Sequence, residues 1–367
     1  MRRRAPVSSR TACQPLRTHE RANADANADF HPDPDMPTTM MNRSLLTLTL
    51  AIAAAFSTVA PAVHAEGDAA APKLSHIQAG YQHFKIGAFE VIALSDGTLP
   101  IPAQQVLKGI SADEVATRLA RTYQGTDVEA SINAFLIKAG DRLVMVDAGT
   151  GELYGPKLNK IGASLKAAGY APEQITDILI THIHTDHTGG LMDGSRLVFP
   201  NATLHLERKE LDYWLNAEQR ARAPEALKVY FDQASAKVQP YVDAGRVKTF
   251  SGETALFPGI RSLPAPGHTP GHSFYVLESQ GEKLVFWGDL LHVADVQLPR
   301  PDVTVAFDVD PKAAAAMRKA AFADALKGRY WVAGDHVTFP GVGHLQADGK
   351  GYRWIPMPYV NDHYKRP

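Results

Sequence analysis

The stretch Thr181-His182-Ile183-His184-Thr185-Asp186-His187 constrains this chain more than any other feature. It collects three imidazoles and a carboxylate directly behind Asp177-Ile178-Leu179-Ile180, an apolar run that reads as a buried strand. So many groups that are costly to desolvate serve little structural purpose there, and they point to metal binding. Four donors so close together cannot all reach one ion without severe strain. Residues two apart in an extended stretch share a face, so His182 and His184 are expected to grip one ion. Asp186 and His187 then turn toward a second. Two protein donors hold zinc weakly, so each pair needs further ligands from elsewhere.

Three candidates lie in loops that follow apolar strands. His268 sits in the turn-rich Pro266-Gly267-His268-Thr269-Pro270-Gly271-His272. Asp289 follows a strand over 284–287, and His336 follows a strand over 330–333. Loops at strand ends commonly build sites. One carboxylate between two ions can bridge them, and Asp289 is the expected bridge. The sole cysteine, Cys13, falls in a segment expected to be removed. Disulfides, thiolate nucleophiles and thiolate ligands are thereby excluded from the mature protein, which leaves histidine and carboxylates to hold metal.

The 367 residues are 45% apolar and 21% charged, a composition that supplies ample core for a soluble globular protein. A formal net charge of -1 offers no long-range attraction to nucleic acid or an anionic membrane, so neither is an expected partner. Asn42-Arg43 precedes an apolar run from Leu45 to about Ala60, followed by Pro61-Ala62-Val63-His64-Ala65. The run is shorter than the ~20 residues that span a bilayer, and it fits a secretory signal cut near Ala65. The mature protein is then periplasmic or secreted. Residues 1–35 make an odd signal n-region, and translation is expected to start at Met36, Met40 or Met41. The boundaries expected are a leader over 1–65, an extension over 66–79 and one domain over 80–367.

Within that domain, 89–94 reads as a strand ending at the turn Asp96-Gly97. Residues 133–138 and 143–146 read as a hairpin closed by Ala139-Gly140-Asp141. Helices are expected over 156–168, 208–216, 225–239 and 311–326, and further strands over 247–250, 260–263, 274–277 and 283–287.

His182-x-His184-x-Asp186-His187, followed by His268, Asp289 and His336, resembles the signature of the metallo-β-lactamase superfamily over roughly residues 80–345. The resemblance implies an α/β fold, a four-layer αββα sandwich. It also implies that His182, His184 and His268 bind one metal, that Asp186, His187 and His336 bind the other, and that Asp289 bridges. It casts Asp147, in Val146-Asp147-Ala148-Gly149, as a residue that orients a ligand. Further runs are similar to methyl parathion hydrolase and related lactonases: 94–98, 165–170, 267–272 and 339–344. His292 and Phe307 depart from that group by being more polar and larger than their counterparts.

The resemblance implies a hydrolase with two divalent ions, zinc expected and manganese, cobalt or iron as alternatives. A metal-bridging hydroxide, with Asp289, is the expected catalytic machinery and no protein nucleophile is needed. Substrates are expected to be small lactones or aryl esters, with phosphotriester hydrolysis as a side activity. His292, Phe307, Trp214, Phe231 and Tyr154 are the candidate pocket residues, Tyr230 would suit the same wall, and His272 and His344 are taken as structural. A homodimer is expected. The alternatives are a dedicated organophosphate hydrolase, a β-lactam or thioester hydrolase, a mononuclear iron oxygenase on the same fold, and a non-catalytic metal-binding module.

Overall fold

The computed structural model describes residues 78–361. The leader, Cys13, the cleavage point near Ala65 and the extension as far as residue 77 lie outside the described residues. Among the described residues, no helix is long and apolar enough to cross a membrane.

Two seven-stranded sheets form the body. The first contains β1 (Tyr81–Ile86), β2 (Phe89–Pro102), β3 (Asp127–Ala139), β4 (Arg142–Val146), β5 (Asp177–Leu179), β6 (Thr203–Glu207) and β7 (Val247–Phe250) in that spatial order. The second contains β8 (Thr254–Phe257), β9 (Ile260–Pro264), β10 (Ser273–Ser279), β11 (Glu282–Phe286), β12 (Trp331–Ala333), β13 (Val342–Asp348) and β14 (Gly351–Pro356). Each begins as an antiparallel meander; the first runs parallel from β4–β5 to its end, whereas the second has one parallel pair, β11–β12, before β12, β13 and β14 pair antiparallel again. Parallel neighbours need crossovers, and helices supply them. α1 (Ala112–Ala120) lies between the antiparallel β2 and β3, and the crossovers carry α2 (Ile161–Ala167), α3 (Thr185–Thr188), α4 (Arg208–Trp214), α5 (Ala217–Arg222), α6 (Lys228–Asp243) and α7 (Pro311–Gly328).

Side chains of successive strand residues point to opposite faces, and here both faces are apolar because both are covered. Val91, Phe135, Val144 and Leu179 meet Tyr275, Leu277, Phe286 and Ala333 between the sheets. Ile92, Leu136, Met145 and Ile178 face Leu165 of α2 and Phe231 and Val238 of α6. Val276, Val285 and Val332 face Phe322 and Ala325 of α7. The layers therefore run helix, sheet, sheet, helix: a four-layer αββα sandwich. A lateral cluster joins Val115 and Leu119 of α1 to Ile101, Val128, Val296 and Val305.

Three local expectations need correction. The first strand does not stop at Asp96-Gly97: β2 continues to Pro102 across a bulge, with Ser95 opposite Asn133 and Gly97 opposite Ile132. Gly97 takes φ +121, a conformation in which a side chain would be strained. The hairpin loop is two residues rather than three, since Ala139 pairs with Arg142. The helix expected from residue 156 begins only at Ile161, because the bulged Asp96 accepts hydrogen bonds from the Lys160 and Ile161 N–H groups at its start.

Candidate metal centre

The candidate donors gather at one edge, beyond the C-terminal ends of parallel strands. Asp147 follows β4, the 182–187 loop follows β5, Asp289 follows β11 and His336 follows β12, while His268 lies in the β9–β10 connection. Open α/β sheets present ligand sites at this edge because their loops diverge there. The 182–187 loop stays extended through His184 (φ -101, ψ 166) and then coils into α3. His182 and His184 consequently share a face, and Asp186 and His187 emerge one turn later.

Two donor groups result, His182/His184/His268/Asp289 and Asp186/His187/Asp289/His336, with the ligating atoms of each within 4.8 Å of one another. Asp289 belongs to both. Its Oδ2 lies 3.3 Å from His268 Nε2 and 3.6 Å from His182 Nε2. Its Oδ1 lies 3.0 Å from His187 Nε2 and 3.1 Å from His336 Nε2. His184 turns Nδ1 inward, 3.0 Å from His268 Nε2, and Asp186 Oδ2 stands 3.3 Å from His336 Nε2. His182 Nε2, His187 Nε2 and Asp289 Oδ1 are buried and have no hydrogen-bond partner. An orphaned buried polar atom costs about 1–3 kcal/mol. Imidazole nitrogens and carboxylate oxygens facing one another in this way fit two divalent cations.

The backs of the imidazoles are held. His187 Nδ1 lies 2.9 Å from Asp147 Oδ2 and 3.2 Å from Asp335 Oδ2. His268 Nδ1 meets Asp308 Oδ1 at 2.8 Å, His336 Nδ1 meets the Ser131 carbonyl at 3.0 Å, and His182 Nδ1 meets Thr181 Oγ1 at 3.1 Å. Such partners fix ring orientation and tautomer. Asp147 also accepts from the Thr181 N–H (2.8 Å) and hydroxyl (2.7 Å), and it adopts φ +58. A non-glycine residue held there is strained, and surrounding bonds must over-determine it.

Electrostatics sort the imidazoles without following the two groups. Burial, with cationic neighbours adding to it, holds His182 and His184 well below the usual imidazole range, so both offer free lone pairs. Burial pushes His268 and His336 down as well, but Asp289, joined by Asp308 at His268 and by Asp186 at His336, outweighs it and brings each to about 9. The Asp289 carboxyl would rise on burial, yet the surrounding imidazoles hold it well below the carboxylate range. His292, which meets Asp289 Oδ2 at 3.0 Å, is lowered to about 4, chiefly by burial.

Several contributors had no sequence signal. Asp308 and Glu210 are ordinary polar residues in the sequence that only the fold brings to the ligand loops, while Thr181 and Asp335 adjoin His182 and His336 but carry no mark of the bonds they make. His272, expected to be structural, accepts from the Asp289 N–H through Nε2 (3.1 Å), and its Nδ1 lies 3.1 Å from the Ala265 carbonyl. It seats the Asp289 backbone. Gly288 permits that contact, because a Cβ there would lie 2.7 Å from His272 Nε2. His344 packs against Trp331, at 3.7 Å between ring centroids.

Above the donors opens a cavity of about 500 Å³. Tyr154, Trp214, Tyr230, Phe231, His292 and Phe307 all line it, with Asp186, Asp289 and His336 at its floor. Trp214 and Phe231 are at once core and wall. They close the first-sheet helical layer on one side and face the cavity on the other.

A model of the Metallo-beta-lactamase superfamily matches residues 128–334. Among solved structures, hydrolase AbOPH in the beta lactamase superfamily is 36% identical with a TM-score of 0.74, over 78% of this chain and 100% of that one. AidC, a dizinc quorum-quenching lactonase solved with its product N-hexanoyl-L-homoserine, is 28% identical with a TM-score of 0.73, over 77% of this chain and 99% of that one. An atrochrysone carboxyl ACP thioesterase of Passalora fulva is 31% identical over 171 residues, 46% of this chain and 39% of that protein. The chain spans about two fifths of the length of the curated relatives it matches.

Proposed function

The chain belongs to the metallo-beta-lactamase superfamily and is a metal-dependent hydrolase; from that premise we propose that it hydrolyses lactones and aryl esters, with phosphotriesters as secondary substrates. One observation carries the proposal: the two oxygens of Asp289 are divided between two histidine groups at the floor of an aromatic cavity. His182, His184 and His268 would hold one divalent ion, Asp186, His187 and His336 the other, and Asp289 both, with zinc the expected metal. When bound, such a pair supplies Lewis acidity and a water acidified to near neutrality.

The chain's own residues supply the rest. Trp214, Phe231 and Phe307 present apolar rings that exclude water and accommodate an aryl or short acyl group. A carboxylate can only accept, so His292 donates to Asp289 Oδ2 from Nε2, and its buried Nδ1 is left without a protein partner. Burial and the Asp186 charge keep the Tyr154 phenol protonated, so its hydroxyl is a donor at the cavity wall. A phenolate leaves without a strong acid, which favours aryl esters and aryl lactones over alkyl amides. A dizinc lactonase among the similar structures supports this choice. A secretory leader, supported by the apolar run over 45–60, and a homodimer are part of the same proposal.

Steady-state rates on metal-quantified protein lacking the leader test it. The panel is dihydrocoumarin, phenyl acetate, an acyl-homoserine lactone, a paraoxon-type triester, an acyl thioester and nitrocefin. A lactone or aryl ester should be turned over fastest, and chelation should abolish the rate. The triester, thioester or nitrocefin in first place overturns the assignment, and a single bound iron overturns the dinuclear site. Asp289→Asn should lower turnover by on the order of a thousandfold while leaving the far-ultraviolet spectrum unchanged.

A further inference from the structure

Glu210 is fully buried, yet it belongs to no candidate donor group, and its carboxylate bonds to no metal-ligand side chain. Its Oε2 accepts from the Ile183 N–H at 2.8 Å and from the Trp214 indole N–H at 3.0 Å. Its Oε1 accepts from the Thr269 hydroxyl at 2.6 Å and from the Gly271 N–H at 2.7 Å. A carboxylate has about four lone-pair directions, and all are used. The donors come from three separate places. Ile183 lies between His182 and His184, Thr269 directly follows His268, and Trp214 is the cavity wall. The approach is close enough to exclude a side chain on the loop: a Cβ at Gly271 would sit 2.8 Å from the Glu210 nitrogen and 3.0 Å from its Cγ.

We propose that Glu210 is a positioning residue that sets the spacing between the two ligand loops, and registers the Trp214 wall to them, before any metal binds. The His182/His184/His268 group draws on both loops, so its geometry depends on this spacing. The Asp186/His187/His336 group takes no ligand from the 266–272 loop and meets it only through the shared Asp289, whose N–H His272 holds, so it depends on this spacing far less. The inference rests on the metal-binding assignment for its second measurement below, and not for its first.

Glu210→Gln keeps the size and removes half the acceptor capacity. A Gln NH₂ placed at the Oε2 position faces two N–H donors. Placed at the Oε1 position, it faces the Gly271 N–H and a hydroxyl that can rotate. Either way at least one main-chain N–H is orphaned. The first measurement is amide hydrogen exchange on metal-stripped wild type and variant. Peptides covering 181–187 and 266–272 should lose protection together, by tenfold or more in rate, with strands β3 and β10 unchanged. Uniform loss across the molecule, or unchanged loops, overturns the proposal, since either is what a merely structural carboxylate gives.

The second measurement is a titration with cobalt(II), followed by its visible absorption. One of the two binding steps should weaken by about 10–100-fold, the range found for groups that orient metal ligands, and the other should stay within threefold. Equal weakening of both steps, or of neither, overturns it. If wild type binds no cobalt, the functional assignment fails, while the exchange result on the loops still stands or falls by itself. Thr269→Val removes one bond without changing shape and carries the same test if the Gln variant does not fold. It should shift the same loops and the same binding step, by a smaller factor.

Discussion

His268 is a candidate ligand whose Nδ1 is held by a single side chain. Asp308 Oδ1 meets its Nδ1 at 2.8 Å, and Asp308 Oδ2 accepts from the Val305 N–H at 3.0 Å, which fixes the carboxylate as well. With Nδ1 engaged by Asp308, Nε2 is the nitrogen left to bind a metal, and it faces Asp289 and His184. Asp308→Ala should therefore weaken metal binding at the His182/His184/His268 group by about 10–100-fold, measured with a chromophoric chelator. Retained affinity would show that the ring is positioned without Asp308. His268 could be picked from the sequence by its place in a turn-rich loop after a strand. Asp308 could not, because it stands 40 residues away and looks like any loop carboxylate. The same holds for Glu210, a helical carboxylate four residues before Trp214 that nothing in the sequence sets apart.

At the scale of elements, the bulge in β2 organises the start of α2 and the loop behind β4. Asp96 Oδ1 accepts from the Lys160 N–H (2.6 Å) and the Ile161 N–H (2.9 Å). Asp96 Oδ2 accepts from the Thr150 N–H (2.8 Å) and hydroxyl (2.6 Å). Asp96→Ala would leave buried main-chain donors without partners and should cost about 2–4 kcal/mol, read from the urea midpoint. A loss below about 1 kcal/mol would mean that water replaces the carboxylate. Asp-Gly in the sequence signals a hairpin turn, and local propensity alone supports it. The structure overrides it because β3 extends back to Asp127 and offers β2 a partner over its whole length. Helix and strand periods were legible wherever one face is apolar. The start of α2 was not, since its cap comes from 64 residues upstream.

For the whole molecule, acid stability is governed partly far from the donors. Asp177 begins β5, at the strand end opposite the metal loop. Burial alone would raise its carboxyl, but bonds from His205 (2.8 Å), Thr176 (2.8 Å) and Arg142 (2.7 Å) outweigh burial and hold it below the usual range. A carboxyl depressed in the folded state stabilises above its unfolded pKa of about 3.9, and that contribution is lost as pH falls through the folded value. The stability gap between wild type and Asp177→Asn should thus be largest at neutral pH and shrink below about pH 4. Urea midpoints from pH 7 to pH 2 measure it, and a gap independent of pH would rule out this linkage. Hydrolysis at neutral pH should be unchanged in the variant.

By itself the sequence determined the chemistry of the donors. Histidines and carboxylates clustered within a few residues, with the one cysteine far away at position 13, leave little but a nitrogen- and oxygen-ligated metal site, and the order of His268, Asp289 and His336 marks the family. The tertiary structure alone decided how those donors are shared and oriented. Asp289 can divide its oxygens between two groups only because β5, β11 and β12 end at the same edge. Asp147, Asp308 and Glu210 acquire their roles through contacts across 34 to 61 residues of chain. Such contacts depend on how sheets and loops pack, and local sequence pattern carries no record of them.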